Sequence, residues 1–200
     1  MTIAMHDEAT KRVDPRVKRT RKLLEQAFIE LMNEKGFEDI TIQDIADRAM
    51  VNRATFYAHF EDKYDLLDSF VRQQFNEMLA GKVPLAPVHD RERLQLIIVT
   101  VLDFFSQTQK HCAPPDRQVG PVLVFGIQEE LMNYLLDWFA IAQPTLIPKE
   151  VDPKAAVKVW SWAIIGTAIQ WALGTQKVSA KEIAREIGMV LTAGCNPASG

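Results

Sequence analysis

The fold of this chain is decided by residues 41–60, TIQDIADRAMVNRATFYAHF. Four apolar residues in its first half recur at the spacing of a single helix face: Ile42, Ile45, Ala46 and Ala49. Asn52 is a good N-cap for a second short helix, which would begin at Arg53 and end near His59. The pattern therefore predicts two short helices joined by a turn at residues 50–52.

The second of these helices has two different faces. Phe56 and Phe60 are four residues apart, so both can pack back onto the first helix. The opposite face then presents four residues to solvent: Arg53, Ala54, Tyr57 and Ala58. The major groove of DNA admits one α-helix, and this arrangement is that of a helix-turn-helix, whose second helix reads bases.

The same residues carry a family resemblance. The patterns Thr41-Ile-x-x-Ile-Ala-x-x-Ala, Val51-Asn-Arg-x-Thr-Phe-Tyr-x-His-Phe and Lys63-x-x-Leu-Leu resemble the N-terminal domain of the TetR family of bacterial transcriptional regulators. The resemblance covers about residues 20–67, and beyond it only the helical pattern and the length are similar.

Met50 departs from the family pattern, which usually has glycine in the turn. Glycine takes positive φ freely, whereas a side chain there costs about 1–2 kcal/mol. Either Met50 bears that strain or the turn bends differently, and the choice affects the tilt of the second helix.

The resemblance implies which residues contact DNA. Arg53 and Ala54 would lie nearest the base edges, where arginine pairs bidentately with guanine and a methyl group meets thymine. The phosphate contacts would come from the second helix and its neighbours, while Thr41 would both cap its helix and bond a phosphate. The predicted DNA-binding residues are Thr41, Gln43, Asn52, Arg53, Ala54, Thr55, Tyr57, His59 and Lys63.

Two of these residues have structural alternatives. Arg53 could be an ordinary solvated surface arginine, and His59 could pack against Phe28 or Phe60 in the core.

The charge distribution agrees with DNA binding better than the total charge does. The net charge of -3 and a pI near 5.8 are not typical of a nucleic-acid binder. However, residues 11–22 contain seven basic residues and a single acid, Asp14. Such a segment beside a reading helix attracts phosphates, although a solvated terminal charge run is the alternative.

The remaining sequence predicts helices only. Helices are expected at residues 15–35, from residue 63 to a stop at Gly81, from Asp90, at residues 122–143, at residues 153–173, and after the capping box of Ser179 and Glu182. Residues 96–105 could alternatively form a strand because they are rich in β-branched residues. The predicted class is all-α, with a mobile tail at 1–13, a three-helix helix-turn-helix DNA-binding domain at 14–63, and a larger helical effector-binding and dimerisation domain at 64–200.

The last two helices are expected to pair with a second copy. The helix at 153–173 has two apolar faces and must bury both. The resemblance implies a homodimer whose two reading helices meet a palindromic operator. The predicted interface residues are Val159, Ala163, Gly166, Ile183, Ile187, Val190 and Leu191.

The resemblance also implies a small-molecule pocket in the second domain. Aromatic residues with embedded polar groups suit a mostly apolar or aromatic effector. The predicted lining residues are Phe104, Phe105, Gln107, Phe125, Gln128, Trp138, Trp162, Thr167 and Gln170. Aromatic residues at helical spacing also pack cores, and a regulator with a filled core would respond to no small molecule.

Other classes of function lack support in the sequence. It has no phosphate-cradling glycine loop, no metal-spaced histidines and carboxylates, and no nucleophile motif, so no enzyme, cofactor or metal site is expected. His111 and Cys112 have no further His or Cys close in sequence. The two cysteines and the absence of a signal peptide favour the reducing cytoplasm, and the apolar run at 159–173 is too short to span a membrane.

The sequence therefore favours a dimeric, ligand-responsive transcriptional regulator, most simply a repressor. A ligand in the second domain would change the DNA-binding conformation through the helix that starts at Lys63. A helical protein-binding adaptor is the rival hypothesis.

Overall fold

A computed structural model describes residues 14–84, 88–111, 119–142, 146–148, 150–174 and 178–193. These ranges contain helices and no strand, so the predicted all-α class is confirmed. The helices are α1 (Pro15–Lys35), α2 (Ile42–Arg48), α3 (Arg53–Tyr57), α4 (Lys63–Lys82), α5 (Asp90–His111), α6 (Val119–Ala142), α7 (Pro153–Leu173) and α8 (Ala180–Ala193). The predicted tail at 1–13 and both cysteines lie outside the described residues.

The helix ends follow local chemistry that is visible in the sequence. Asp14 caps α1 by accepting a 2.8 Å hydrogen bond from the Arg16 N–H, with Pro15 in the first turn. Gly36 ends α1 with a positive φ of 74°. Ser179 and Glu182 form the predicted capping box, since each side chain accepts from the other residue's backbone N–H.

Two helix boundaries differ from the prediction. Helix α4 continues through Gly81 and ends at Lys82, because a single glycine only weakens a helix whereas Pro84 disfavours helical backbone before it. Helix α6 begins at Val119, so Pro121 lies in its first turn, where a missing N–H costs nothing. Residues 96–105 are part of α5, so the strand alternative is wrong.

The described chain divides into two compact units after Lys63. In the first unit, the core is made by α1, α2 and α3 with the connections between them. Its largest fully buried side chains are Leu24, Phe28, Ile40, Ile45 and Phe56. Helix α3 has five residues and is too short to be stable alone, so the burial of Phe56, worth about 1.5–3 kcal/mol, holds it in place.

In the second unit, α5 packs against α7 and α8, and α6 packs against α7. The buried face of α5 carries Leu94, Ile97, Ile98, Val101 and Leu102. One of the two apolar faces of α7 is buried as well, through Val157, Trp160, Ile164, Ile165 and Ala168.

Helices α4 and α6 of the second unit approach closely at Gly126. A Cβ atom at this position would collide with the Asp68 carboxylate. Beside it, the Arg72 guanidinium binds Asp68 at 2.6 Å, Glu129 at 2.9 Å and Glu130 at 3.0 Å. Burial opposes the charge of Arg72, but its hydrogen bonds to these carboxylates outweigh burial and raise its pKa. The small residue and the ion cluster together fix how α4 meets α6.

Candidate nucleic-acid interface

Helix α2 begins with a reciprocal cap. The Thr41 hydroxyl accepts from the Asp44 N–H at 3.1 Å, and the Asp44 carboxylate accepts from the Thr41 N–H at 2.8 Å. Lys35 adds a 2.8 Å ion pair to the same carboxylate. The Lys35 hydrogen bond, followed by those from Thr41, holds the pKa of Asp44 well below its usual range.

A second ion cluster ties α2 to α1. The Arg48 guanidinium binds Glu34 through both terminal nitrogens, at 2.8 and 2.7 Å, and also binds Glu30 at 3.3 Å. The hydrogen bonds that Arg48 donates to Glu34 and then to Glu30 raise its pKa. The sequence reasoning missed this cluster because its members are 14 and 18 residues apart. The cluster neutralises acidic groups of the first unit and fixes α2, the helix that precedes α3.

The turn between α2 and α3 is made by a strained residue. Met50 has a φ of +55°, the single positive φ of a non-glycine residue among those described. The turn is closed by backbone bonds from the Met50 N–H to the Asp47 oxygen at 3.1 Å and from the Val51 N–H to the Ala46 oxygen at 2.9 Å. Met50 therefore bears the left-handed conformation that the family gives to glycine.

Helix α3 is capped and presents a polar face. The Asn52 side chain accepts from the Thr55 N–H at 2.7 Å, as an N-cap should. Arg53, Ala54, Tyr57 and Ala58 are exposed on this helix, while Phe56 is buried. The Arg53 guanidinium donates a 3.0 Å hydrogen bond to the Tyr57 hydroxyl, which leaves the phenolic proton available to another acceptor. The face offers donors suited to base edges and phosphates.

Two predicted DNA-contact residues, Thr55 on α3 and His59 just after it, have side chains that are less available to DNA. The Thr55 hydroxyl donates to Asn52 at 3.0 Å, so its one proton is already used in the cap. His59 is half-buried, with its ring centroid 6.5 Å from that of Phe60. On α2, Gln43 is exposed and donates to Asp47 at 2.7 Å.

Lys63, which is predicted as a phosphate contact, makes its hydrogen bonds inside the first unit. Its ammonium donates to three backbone carbonyls, of Phe37 at 3.1 Å, Glu38 at 3.2 Å and Ile40 at 3.1 Å. It also lies 4.5 Å above the Phe37 ring. Because an ammonium has three protons, these carbonyls use all of its donors, and Lys63 stabilises the α1–α2 connection.

The basic segment at the start of α1 supplies further positive charge. Arg16, Lys18, Arg19 and Lys22 are exposed, and no ion pair involves them in the described part of the chain. Arg21 differs, because it pairs with Glu25 at 3.2 Å and lies 4.5 Å above the Phe60 ring. Lys11 and Arg12 lie outside the described residues.

Comparison with known proteins identifies this unit. The family model described as bacterial regulatory proteins, tetR family, matches residues 23–70, which include α2, the turn and α3. Residues 23–70 thus carry the pattern of the TetR family's N-terminal DNA-binding unit.

Individual curated relatives are similar over part of the chain. The chain is 38% identical over 73 residues to YxbF, an uncharacterized HTH-type transcriptional regulator of Bacillus subtilis (strain 168), a match that spans 36% of this chain and 19% of YxbF. It thus matches about a fifth of that relative's length.

Two solved structures share the TetR fold with this chain over most of its length. The fatty acid degradation regulator FadR from Bacillus halodurans has a TM-score of 0.58 at 18% identity, with 88% of this chain and 95% of FadR covered. RolR in complex with resorcinol has a TM-score of 0.57 at 18% identity, with 90% of this chain and 89% of RolR covered.

The predicted pocket residues have different environments in the second unit. Phe104 is buried and packs edge-on against Phe75, with centroids 5.2 Å apart, and Phe105 beside it is half-buried. Gln128 is buried and donates to the Ser161 hydroxyl at 3.0 Å. These contacts make Phe104 and Gln128 part of the packed interior.

Other predicted lining residues are exposed or half-buried. Phe125 is 60% exposed and meets the exposed Trp162 edge-on at 5.5 Å. Gln107 and Gln170 are also exposed, and Thr167 is half-buried with its hydroxyl donating to Ala163. Helical spacing alone did not reveal that α6 and α7 turn these side chains outward.

Among the predicted pocket residues, Trp138 is buried and its indole N–H lacks a hydrogen-bond partner in the described part of the chain. It is 7% exposed, and its indole Nε1 makes no hydrogen bond among the described residues.

Three of the predicted dimer residues are exposed in the second unit. Val159 is 66% exposed, Val190 is 74% exposed, and Gly166 is exposed. Ala163, Ile183 and Leu191 are half-buried. Ile187 is buried within its own unit.

The described ranges contain no candidate membrane span and no candidate metal cluster. None of the helices there is long and apolar enough to cross a membrane. In the same ranges, no group of three His, Cys, Asp or Glu side chains is arranged to hold a metal ion.

Proposed function

We propose that this protein is a homodimeric transcriptional regulator of the cytoplasm that binds a palindromic DNA operator. It acts as a repressor, and a small, mostly apolar or aromatic ligand releases it. The observation that carries the proposal is the exposed face of α3, where Arg53 is held against Tyr57 on a helix capped by Asn52.

This face has the chemistry of base recognition. An exposed guanidinium at the start of the helix reaches guanine O6 and N7 in a bidentate pair worth about 1–3 kcal/mol of discrimination. The neighbouring Ala54 methyl suits thymine, and the Tyr57 phenol suits a phosphate oxygen. The exposed basic residues at the start of α1 add attraction for the DNA backbone.

Dimer formation supports the same function. One short helix reads too few base pairs for specificity, whereas a two-fold dimer reads two half-sites. Val159 and Val190 expose apolar surface on the last two helices, and burial against a second copy would remove it from water.

Release by a small molecule is supported by a solved relative of the same fold. RolR was crystallised with resorcinol, a small aromatic molecule. By contrast, the contacts of Phe104 and Gln128 favour the alternative of a regulator whose interior is filled.

The first experiment is selection of bound duplexes from a random library by the purified, ligand-free protein. A palindromic consensus is the expected result. Recovery of no consensus by a folded protein at low salt would refute the proposal and would favour the protein-binding adaptor.

Arg53 variants then test the reading face. Arg53→Ala should weaken binding and relax the preference at a guanine position, at a cost of about 1–3 kcal/mol. Arg53→Lys is the matched control, because it keeps the charge and loses the bidentate geometry. If both variants keep the wild-type preference at every operator position, Arg53 does not read bases.

Val190→Glu tests the dimer. The exposed position tolerates glutamate in a monomer, but a like-charge pair at a two-fold interface would oppose association. Sedimentation should then report a monomer with weakened operator binding. A dimer of unchanged affinity would remove Val190 from the interface.

A further inference from the structure

A groove of about 170 Å³ lies between α5 and α8 of the second unit. Its apolar lining, called here the floor, consists of Leu94, Ala184, Gly188 and Met189, and the polar residues Gln95 and Thr192 also line it. Arg91 of α5 and Arg185 of α8 also line it, and both are exposed. None of these residues belongs to the pocket or to the DNA-binding surface predicted from the sequence.

The space in the groove depends on Gly188. A Cβ atom there would meet only the Ile98 Cδ1 atom, at 3.9 Å, which is an ordinary van der Waals distance. Close helix packing therefore does not require this glycine, and its missing side chain leaves room above a floor in which Leu94 and Ala184 are buried.

The two arginines carry charge that the described residues do not neutralise. Neither Arg91 nor Arg185 takes part in an ion pair within the described ranges. Glu182, less than one turn before Arg185, feels its charge but uses its carboxylate to accept from the Ser179 N–H and hydroxyl at 3.0 and 2.7 Å. Two guanidinium groups beside an apolar floor suit an anion whose other end is apolar.

The groove and Val190 lie on different sides of α8. At 3.6 residues per turn, Arg185 and Val190 are separated by a rotation of about 140° around α8. Gly188 and Met189 lie on the Arg185 side of the helix, so formation of the dimer through Val190 leaves the groove accessible.

We propose that this groove is a binding site for a small carboxylate with an apolar body of about the size of benzoate. The volume is similar to that of a cavity of about 150 Å³ that admits benzene. The carboxylate would meet Arg91 and Arg185, and the ring would lie against Leu94 and Met189. This site is separate from the DNA-reading face, so it does not depend on the proposed operator binding.

The test is a titration of the isotope-labelled, full-length protein with sodium benzoate, followed by NMR. Saturable shifts of the amides of Leu94, Ala184 and Gly188 are expected. Benzamide has the same shape without the charge and should bind about tenfold more weakly, as should benzoate to the Arg91→Ala/Arg185→Ala double variant.

Variants of Gly188 test the floor. Gly188→Leu should abolish the shifts by filling the groove, whereas Gly81→Leu on α4 should leave them unchanged, since nothing lies within 4 Å of a Cβ atom at Gly81. Gly188→Ala adds one methyl group at a tolerated distance and should weaken binding severalfold, which keeps the test valid if Gly188→Leu does not fold.

Three results would overturn the proposal. They are absence of saturable shifts in the wild-type protein, equal affinity for benzoate and benzamide, and unchanged benzoate binding by a folded Gly188→Leu variant.

Discussion

Replacement of Met50 by glycine should stabilise the helix-turn-helix. Met50 holds a φ of +55° in the turn between α2 and α3. An L-residue in this conformation costs about 1–2 kcal/mol, and glycine removes that cost. The turn's hydrogen bonds come from backbone atoms, so Met50→Gly keeps them.

The expected size follows from the exposure of the side chain. Met50 is 89% exposed, so its removal sacrifices almost no buried area. Glycine loses more backbone freedom on folding, which offsets about 0.5–1 kcal/mol of the relieved strain. The net gain should therefore be about 0.5–1 kcal/mol.

Native-state hydrogen exchange measures this gain at the turn. The Val51 amide donates to the Ala46 oxygen and reports opening of the turn. A gain of about 0.5–1 kcal/mol slows its exchange about two- to fivefold. Met50→Ala is the matched control, because it removes the exposed chain and keeps a Cβ atom at positive φ, and it should exchange like the wild type. Met50→Asn should fall between them, since asparagine tolerates this region better than most residues.

The relative protection of the Val51 amide in the Met50 variants shows whether Met50 bears backbone strain. Equal protection in the alanine and glycine variants would show that the effect comes from loss of the methionine side chain, and that Met50 stores no backbone strain.

Three other substitutions test contacts of the two units. Lys63→Met removes the ammonium from three backbone carbonyls and should lower the free energy of unfolding, measured in urea, by about 1–3 kcal/mol. If the variant instead has the wild-type urea midpoint, and the salt slope of its DNA binding is reduced by about one, Lys63 contacts a phosphate. The low pKa of Asp44 means that its carboxylate stabilises the folded state above its unfolded pKa of about 3.9, and that this stabilisation is lost as the pH falls through the lower folded value. Asp44→Asn should therefore be less stable than the wild type at pH 6 and should approach it in acid, and a constant difference between the two unfolding curves from pH 6 to pH 2 would contradict the assignment. Gly126→Ala places a methyl group against Asp68 and should lower the unfolding temperature by an amount equivalent to about 1–3 kcal/mol. The control Gly81→Ala should be neutral or stabilising, because nothing lies within 4 Å of a Cβ atom there. Equal unfolding temperatures of the two variants would mean that α4 and α6 separate at no cost.

Helix boundaries were predictable because their causes are local. Asp14 with Pro15, Gly36, and Ser179 with Glu182 each act over two to four residues, so the sequence shows both partners of the cap. The two short helices at residues 41–60 were predictable for the same reason. Asn52 caps a helix that begins at the next residue, and Phe56 lies within one turn of that cap.

The sequence left two options for the turn at Met50. Either Met50 has a positive φ and bears the backbone strain, or the turn bends differently. Strain in a turn depends on φ, and the sequence does not specify which of two backbone paths the chain takes. The tertiary structure decided for positive φ, because burial of Phe56 and Ile45 fixes where α3 must start.

The side chains of the second unit show the limit of one-dimensional patterns. Phe104 and Phe125 are both aromatic residues on long helices, yet the first is in the core and the second is 60% exposed. Likewise, the donors of Lys63 are used by carbonyls 23 to 26 residues away. Sequence alone determined the helices, their caps and the exposed face of α3, because these depend on neighbours within a turn. Only tertiary packing decided which aromatic faces are buried and which charges are used internally, because those outcomes depend on helices that are distant in sequence.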